Sequence, residues 1–123
     1  MKLREKINFN LLYKKIKQNP WGFTLNIFNL KAPAEGFALS PYKDKELKIK
    51  KLNKKVLKNY ILKNFNYLIR RGHFLGGWYN DNDKMFYLDI SIVVKNLQKA
   101  LKLAQENKQI AIYDIKEKKE IRV

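Results

Sequence analysis

The chain has 123 residues, 46% hydrophobic and 31% charged, a composition suited to one globular domain that buries about two-thirds of its unfolded surface. Its 27 Lys and Arg against 11 Asp and Glu give a formal charge of +16, a self-repulsion that a polyanionic partner would relieve. The lack of cysteine excludes disulfides, thiol catalysis and Cys-based zinc sites, and the absence of any apolar run near the roughly 18 residues of a membrane span excludes a transmembrane helix.

The start, Met1 to Ile7, is charged and does not resemble a signal peptide, so a protein of the bacterial cytoplasm is expected. Residues 1–20 read as an N-terminal helical segment, in which Leu3, Ile7, Leu11, Leu12 and Ile16 make an untidy apolar face before Asn19-Pro20 ends it. Residues 21–123 read as an α+β core, the whole forming a single domain. Gly22-Phe23-Thr24-Leu25-Asn26 and Gly36-Phe37-Ala38-Leu39-Ser40 echo each other as two short strands joined by a loop. Leu47 and Ile49 alternate with Lys48 and Lys50 in an edge strand, where outward lysines also discourage edge pairing.

From Lys43 to Arg71 the chain carries eleven basic residues and only Asp44 and Glu46 as acids. The spacing predicts a helix over 53–70, with Lys55, Asn59, Lys63, Asn66 and Arg70 on one side and Leu57, Tyr60, Ile61, Phe65 and Leu68 on the other. Such a helix would be about 25 Å long and would pass several duplex phosphates. Gly72 suits the left-handed position that closes it. Leu75 to Tyr79 and Lys84 to Val93 flank Asn80-Asp81-Asn82-Asp83, a hairpin pattern, with Phe86, Leu88, Ile90 and Ile92 sharing one strand face. Asn96 caps a shorter helix whose buried stripe is Leu97, Ala100, Leu101 and Ala104. A strand at Ile110 to Ile115, a turn at Lys116 to Lys119 and a returning Glu120 to Val123 complete the expected fold. That fold is a mainly antiparallel sheet with one long helix, one shorter helix and the N-terminal helix packed on it.

Gly36-Phe37-Ala38-Leu39-Ser40, Leu75-Gly76-Gly77-Trp78, Tyr87-Leu88-Asp89-Ile90-Ser91, the Ala100 to Ala104 helix and Gln109 to Asp114 resemble a family of small, functionally uncharacterised proteins of bacteriophages, plasmids and other mobile elements. The resemblance covers about Gly36 to Val123 and leaves out the lysine-rich Lys45 to Lys58. It implies a mobile-element accessory protein, one that interferes with a host defence such as a CRISPR system, and it brings no catalytic residue.

His73 is the sole histidine, and no nucleophile elbow accompanies it, so its expected place is the turn after Gly72 or a contact to RNA beside Arg70 and Arg71. Gly72, Gly76 and Gly77 lack the Lys-Ser or Lys-Thr of a phosphate loop, and the glycine before Trp78 reads as permitting close backbone packing or a bulge. Asp81 and Asp83 read as a solvated turn facing away from any polyanion, and Asp89 needs a lysine, arginine or tyrosine partner if buried. No metal, cofactor or small-molecule substrate is expected, and no enzyme.

The candidate phosphate contacts are Lys48, Lys50, Lys51, Lys54, Lys55, Lys58, Lys63, Arg70 and Arg71, with Tyr42, Trp78 and Tyr79 as candidate platforms for unpaired bases. Lysine outnumbers arginine, whose only members are Arg4, Arg70, Arg71 and Arg122, so backbone charge and shape are expected to matter more than base edges. An A·T-rich coding bias also raises lysine and asparagine, but it does not explain why acids stay at 11. The expected partner is nucleic acid, with RNA or a single strand slightly favoured. Two further readings stand beside it: docking on a host nucleoprotein nuclease, and the weaker one of peripheral attachment to an anionic membrane through the N-terminal helix.

Overall fold

Seven antiparallel strands form one sheet in a computed structural model that describes residues 2–123. In chain order the elements are a 3₁₀ turn (Leu3–Lys6), α1 (Phe9–Lys17), β1 (Gly22–Leu25), β2 (Phe37–Leu39), a 3₁₀ turn (Lys43–Lys45), β3 (Leu47–Ile49), α2 (Lys54–Lys63), α3 (Phe65–Leu68), β4 (His73–Asn80), β5 (Met85–Val94), α4 (Leu97–Glu106), β6 (Ala111–Asp114) and β7 (Lys119–Arg122). The fold is α+β, as the sequence predicts.

The β4–β5 hairpin is the spine. β1 lies outside β4, while the other side of β5 pairs first with β3, at Phe86 to Leu88, and then with β2, at Ile92 to Val94. β6 and β7 extend the sheet beyond β2. At the hairpin tip Asn80 Oδ1 accepts from the Asn82 N–H at 2.9 Å, and Asp83 Oδ1 from the Met85 N–H at 3.0 Å, so side chains supply the turn's own acceptors.

Alternation along β5 separates the two faces. Phe86, Leu88 and Ile90 join Leu25 and Leu75 in a core closed by Leu12 and Ile16 of α1, Leu57 and Ile61 of α2, and Phe65 and Leu68 of α3. Further along the same face, Ile92, Leu39 and Ile112 pack against Ala100 and Ala104 of α4. All four α-helices therefore cover one face, and Tyr87, Asp89 and Ser91 point to the other. The glycine pair in β4 serves both faces. A Cβ on Gly77 would strike the Phe23 ring on the helical side, and one on Gly76 would strike the Asp89 carboxylate and the Ser91 hydroxyl on the open side.

Three expectations need correction. The helix over 53–70 is broken: α2 ends at Lys63, and the separate four-residue α3 starts at Phe65. Asn64, 5% exposed, donates its Nδ2 to the Tyr60 carbonyl at 2.9 Å while its own carbonyl accepts from the Tyr67 and Leu68 N–H groups. A short amide that competes for main-chain groups is a poor helix interior, and here it turns the axis. The lysine-bearing helix α2 is accordingly about 15 Å long, not 25 Å, and with ten residues in each of α2 and α4 neither is the long one.

The N-terminal segment is likewise split. The Leu3–Lys6 turn precedes a helix capped by Asn8, whose Oδ1 accepts from the Leu11 N–H at 3.0 Å. Leu3 and Leu11 stay exposed while Ile7, Leu12 and Ile16 are buried, which accounts for the untidy apolar pattern. Third, Gly72 does have the left-handed φ of 73° expected of it, but it turns the chain from α3 into β4 and caps no long helix.

Candidate nucleic-acid interface

The first turn of α2 is the centre of the basic surface. Asn53 caps it, its Oδ1 accepting from the Val56 N–H at 2.9 Å, and Lys54 and Lys55 follow at once. Because Leu57, Tyr60 and Ile61 are buried, helical geometry puts Lys54 and Lys58 on the flank towards α1, Lys55 outward, and Lys63 on the opposite flank. Two contacts fix the α1 side: Lys54 Nζ donates to Asn10 Oδ1 at 2.6 Å, and Lys58 Nζ lies 5.4 Å from the centre of the Phe9 ring.

Between the starts of the two helices lies an open cleft of about 700 Å³, lined by residues 5–10 and by Lys54, Lys55 and Lys58. Lys6 adds a fourth ammonium, and Glu5 is the one acid. Both helices begin here, so their unpaired N–H groups add partial positive charge, and neither has an acidic residue in its first turn. Lysine at a helix start is unfavourable for the free helix and favourable for an anion that sits there.

All nine expected phosphate contacts are exposed. Of these nine only Lys48 is ion-paired, to Asp83 at 3.1 Å. The hairpin tip thus does not stand apart as a solvated turn, because Asp83 takes Lys48 and also accepts from the Tyr87 hydroxyl. These two donors, Tyr87 first, hold the Asp83 carboxyl below the usual carboxylate range, and Asp83 in turn raises Lys48. Lys50 and Lys51 lead into α2. Arg70 and Arg71 follow α3 and lie off α2, because the break at Asn64 removes them from the helix expected to carry them.

At that second place Tyr67 gathers cations, with the Arg70 guanidinium 4.3 Å and Lys45 Nζ 4.6 Å from its ring centre. Tyr42 meets Tyr67 edge-on at 5.1 Å, and its hydroxyl bonds His73 Nε2 at 2.8 Å. His73 Nδ1 lies 3.0 Å from the Arg71 carbonyl, which only accepts, so in neutral His73 the proton sits on Nδ1 and Tyr42 donates to Nε2. Tyr42 and His73 are therefore committed to each other.

The three candidate platforms do not converge. Trp78 stands on the open sheet face, Tyr79 points to the helical side and packs on the core, and Tyr42 lies against α3's Tyr67. Sequence reasoning passed over Trp21, which is 70% exposed and meets Tyr79 edge-on at 5.7 Å. It also missed Lys6 and Asn10; an asparagine at the second position of a helix gives no sign of its partner 44 residues away.

Asp89 is 6% exposed, and its partner is the Ser91 hydroxyl at 2.7 Å, not a lysine, arginine or tyrosine. Burial, together with the nearby Glu46 carboxylate, outweighs that bond and pushes its pKa up to about 6. Burial raises the Tyr60 phenol too, with the Asp89 and Glu46 charges adding to the effect, while its hydroxyl donates to the Lys45 carbonyl at 2.7 Å. No group of three His, Asp or Glu side chains stands close enough to hold a metal ion among the described residues, and no helix is long and apolar enough to cross a membrane.

No protein-family model matches the chain, and neither curated proteins nor solved structures give a match.

Proposed function

We propose that this chain is a small, non-enzymatic nucleic-acid-binding protein that seats backbone phosphates in the cleft between α1 and α2. The observation that carries the reading is the lining of that cleft, four lysines without a salt bridge and one acid, at the start of two helices. Ammonium groups supply point charges that suit phosphate and read no base edge, so binding is governed by backbone charge and falls with salt. Lys50 and Lys51, which precede α2, extend the field.

Charge reversal tests it. Lys54→Glu with Lys58→Glu should weaken binding to labelled RNA and DNA at least tenfold at fixed salt, since each reversal both removes a contact and adds repulsion. Unchanged affinity would overturn the reading.

A further inference from the structure

On the open face of the sheet one cross-strand row runs Lys48, Tyr87, Trp78, Gly22 across β3, β5, β4 and β1. The first three members are already a stack. Lys48 Nζ lies 5.6 Å from the Tyr87 ring centre, and the Tyr87 and Trp78 rings are 4.6 Å apart and within 16° of parallel. The tie from the Tyr87 hydroxyl to Asp83, with Lys48 on the same carboxylate, holds the stack upright. The fourth position has no side chain.

The position beside Trp78 over Gly22 is exposed. Trp78 is 41% exposed, Gly22 is exposed, and β1 pairs with β4 alone, so no further strand extends the row on its outer side. Trp21, the adjacent residue, is turned to Tyr79 on the other side of the sheet. The α-helices pack on the other face, and although Tyr87, Asp89 and Ser91 along β5 are buried, the row becomes exposed at its outer end, at Trp78 and Gly22. Strands lie about 4.8 Å apart, so the position over Gly22 is where one more flat ring continues the stack.

We infer that Trp78 and the gap over Gly22 form a stacking site for one unpaired nucleobase of a single-stranded nucleic acid. The occupant follows from charge complementarity, because a chain of net charge +16 draws a polyanion to its surface and a strand with free bases is the polyanion that also carries flat rings. Stacking of this kind tolerates any base, since each has a π-face. The inference deepens the nucleic-acid reading and rests on it; it adds a preference for unpaired strands on the face opposite the helices.

The test uses three ligands of equal length: a single strand, its duplex, and an abasic strand with the same phosphates. In a Trp21→Phe protein the fluorescence comes from Trp78 alone, and the single strand should quench it while the abasic strand does not. Trp78→Ala should weaken the single strand by roughly tenfold or more and leave the abasic strand unchanged. Gly22→Val keeps the indole but fills the gap; because its Cβ would lie 3.2 Å from the Gly77 carbonyl oxygen, its urea unfolding is measured alongside, and the folded variant should reproduce the loss. Equal affinity for single and abasic strands, with no quenching, would overturn the stacking site alone. Failure of all three ligands to bind would overturn the charge reading as well.

Discussion

Lys54 Nζ donates to Asn10 Oδ1 at 2.6 Å, and this bond joins the first turn of α2 to the first turn of α1 across the mouth of the basic cleft. A neutral amide fixes the ammonium in place without cancelling its charge. Held by Asp or Glu instead, Lys54 would offer a ligand far less.

Asn10→Ala should therefore separate positioning from folding. Both residues are exposed, so urea unfolding should shift by less than about 0.5 kcal/mol. Binding should weaken by about 0.5–1 kcal/mol, or two- to fivefold, because the freed lysine has to be ordered by the ligand. Fluorescence anisotropy on the same protein stock compares the two.

Lys55→Glu should trade one property for the other. It puts an acid into the first turn of α2, where none exists, and should stabilise the free protein by about 0.3–1 kcal/mol through the helix dipole. The same change should weaken nucleic-acid binding. Thermal unfolding at low salt, with and without ligand, should show a higher midpoint alone and a smaller ligand-induced rise.

Much of the architecture was legible because periodicity carries it. The alternation of Phe86, Leu88, Ile90 and Ile92, the Asn-Asp turn, and the Asn96 cap before Ala100 and Ala104 each state a local rule that the fold obeys. Asn64 did not declare itself, because an asparagine on a charged helix pattern looks like another polar surface residue until its amide bonds the Tyr60 carbonyl. The cleft was half legible: Lys54, Lys55 and Lys58 stood out by spacing, whereas Lys6 and Asn10 join them only through the packing of α1 on α2. Likewise, strand patterning marked Trp78 as aromatic on a sheet, but only the register sets Tyr87 on one side of it and Gly22 on the other.

Asn64→Ala should cost about 0.5–1.5 kcal/mol, since it deletes one buried hydrogen bond while the Tyr60 carbonyl keeps the Asn64 N–H. Urea unfolding measures it. A neutral or stabilising result would mean that the break between α2 and α3 is set by packing of Phe65 and Leu68 alone.

Asp89 gives stability a pH dependence of known sign. Its pKa rises from 3.8 to about 6 on folding, so the native state holds the proton more tightly and stability falls as pH rises through that interval. The full loss, reached above the folded value, corresponds to about 3 kcal/mol. Asp89→Asn keeps an acceptor for the Ser91 hydroxyl and carries no charge to bury. Relative to the wild type it should gain stability steadily as pH is raised from about 4 to about 7, by up to about 3 kcal/mol. Denaturant midpoints of both proteins across that range provide the check.

The salt dependence of binding tests the basic cleft most directly. If Lys6, Lys50, Lys51, Lys54, Lys55 and Lys58 each meet a duplex phosphate, the logarithm of affinity should fall against the logarithm of salt with a slope of about −5. Replacing Lys54, Lys55 and Lys58 by Ala should reduce that slope to about −2.5. A wild-type affinity indifferent to salt, or a slope that the triple replacement leaves unaltered, would contradict the account.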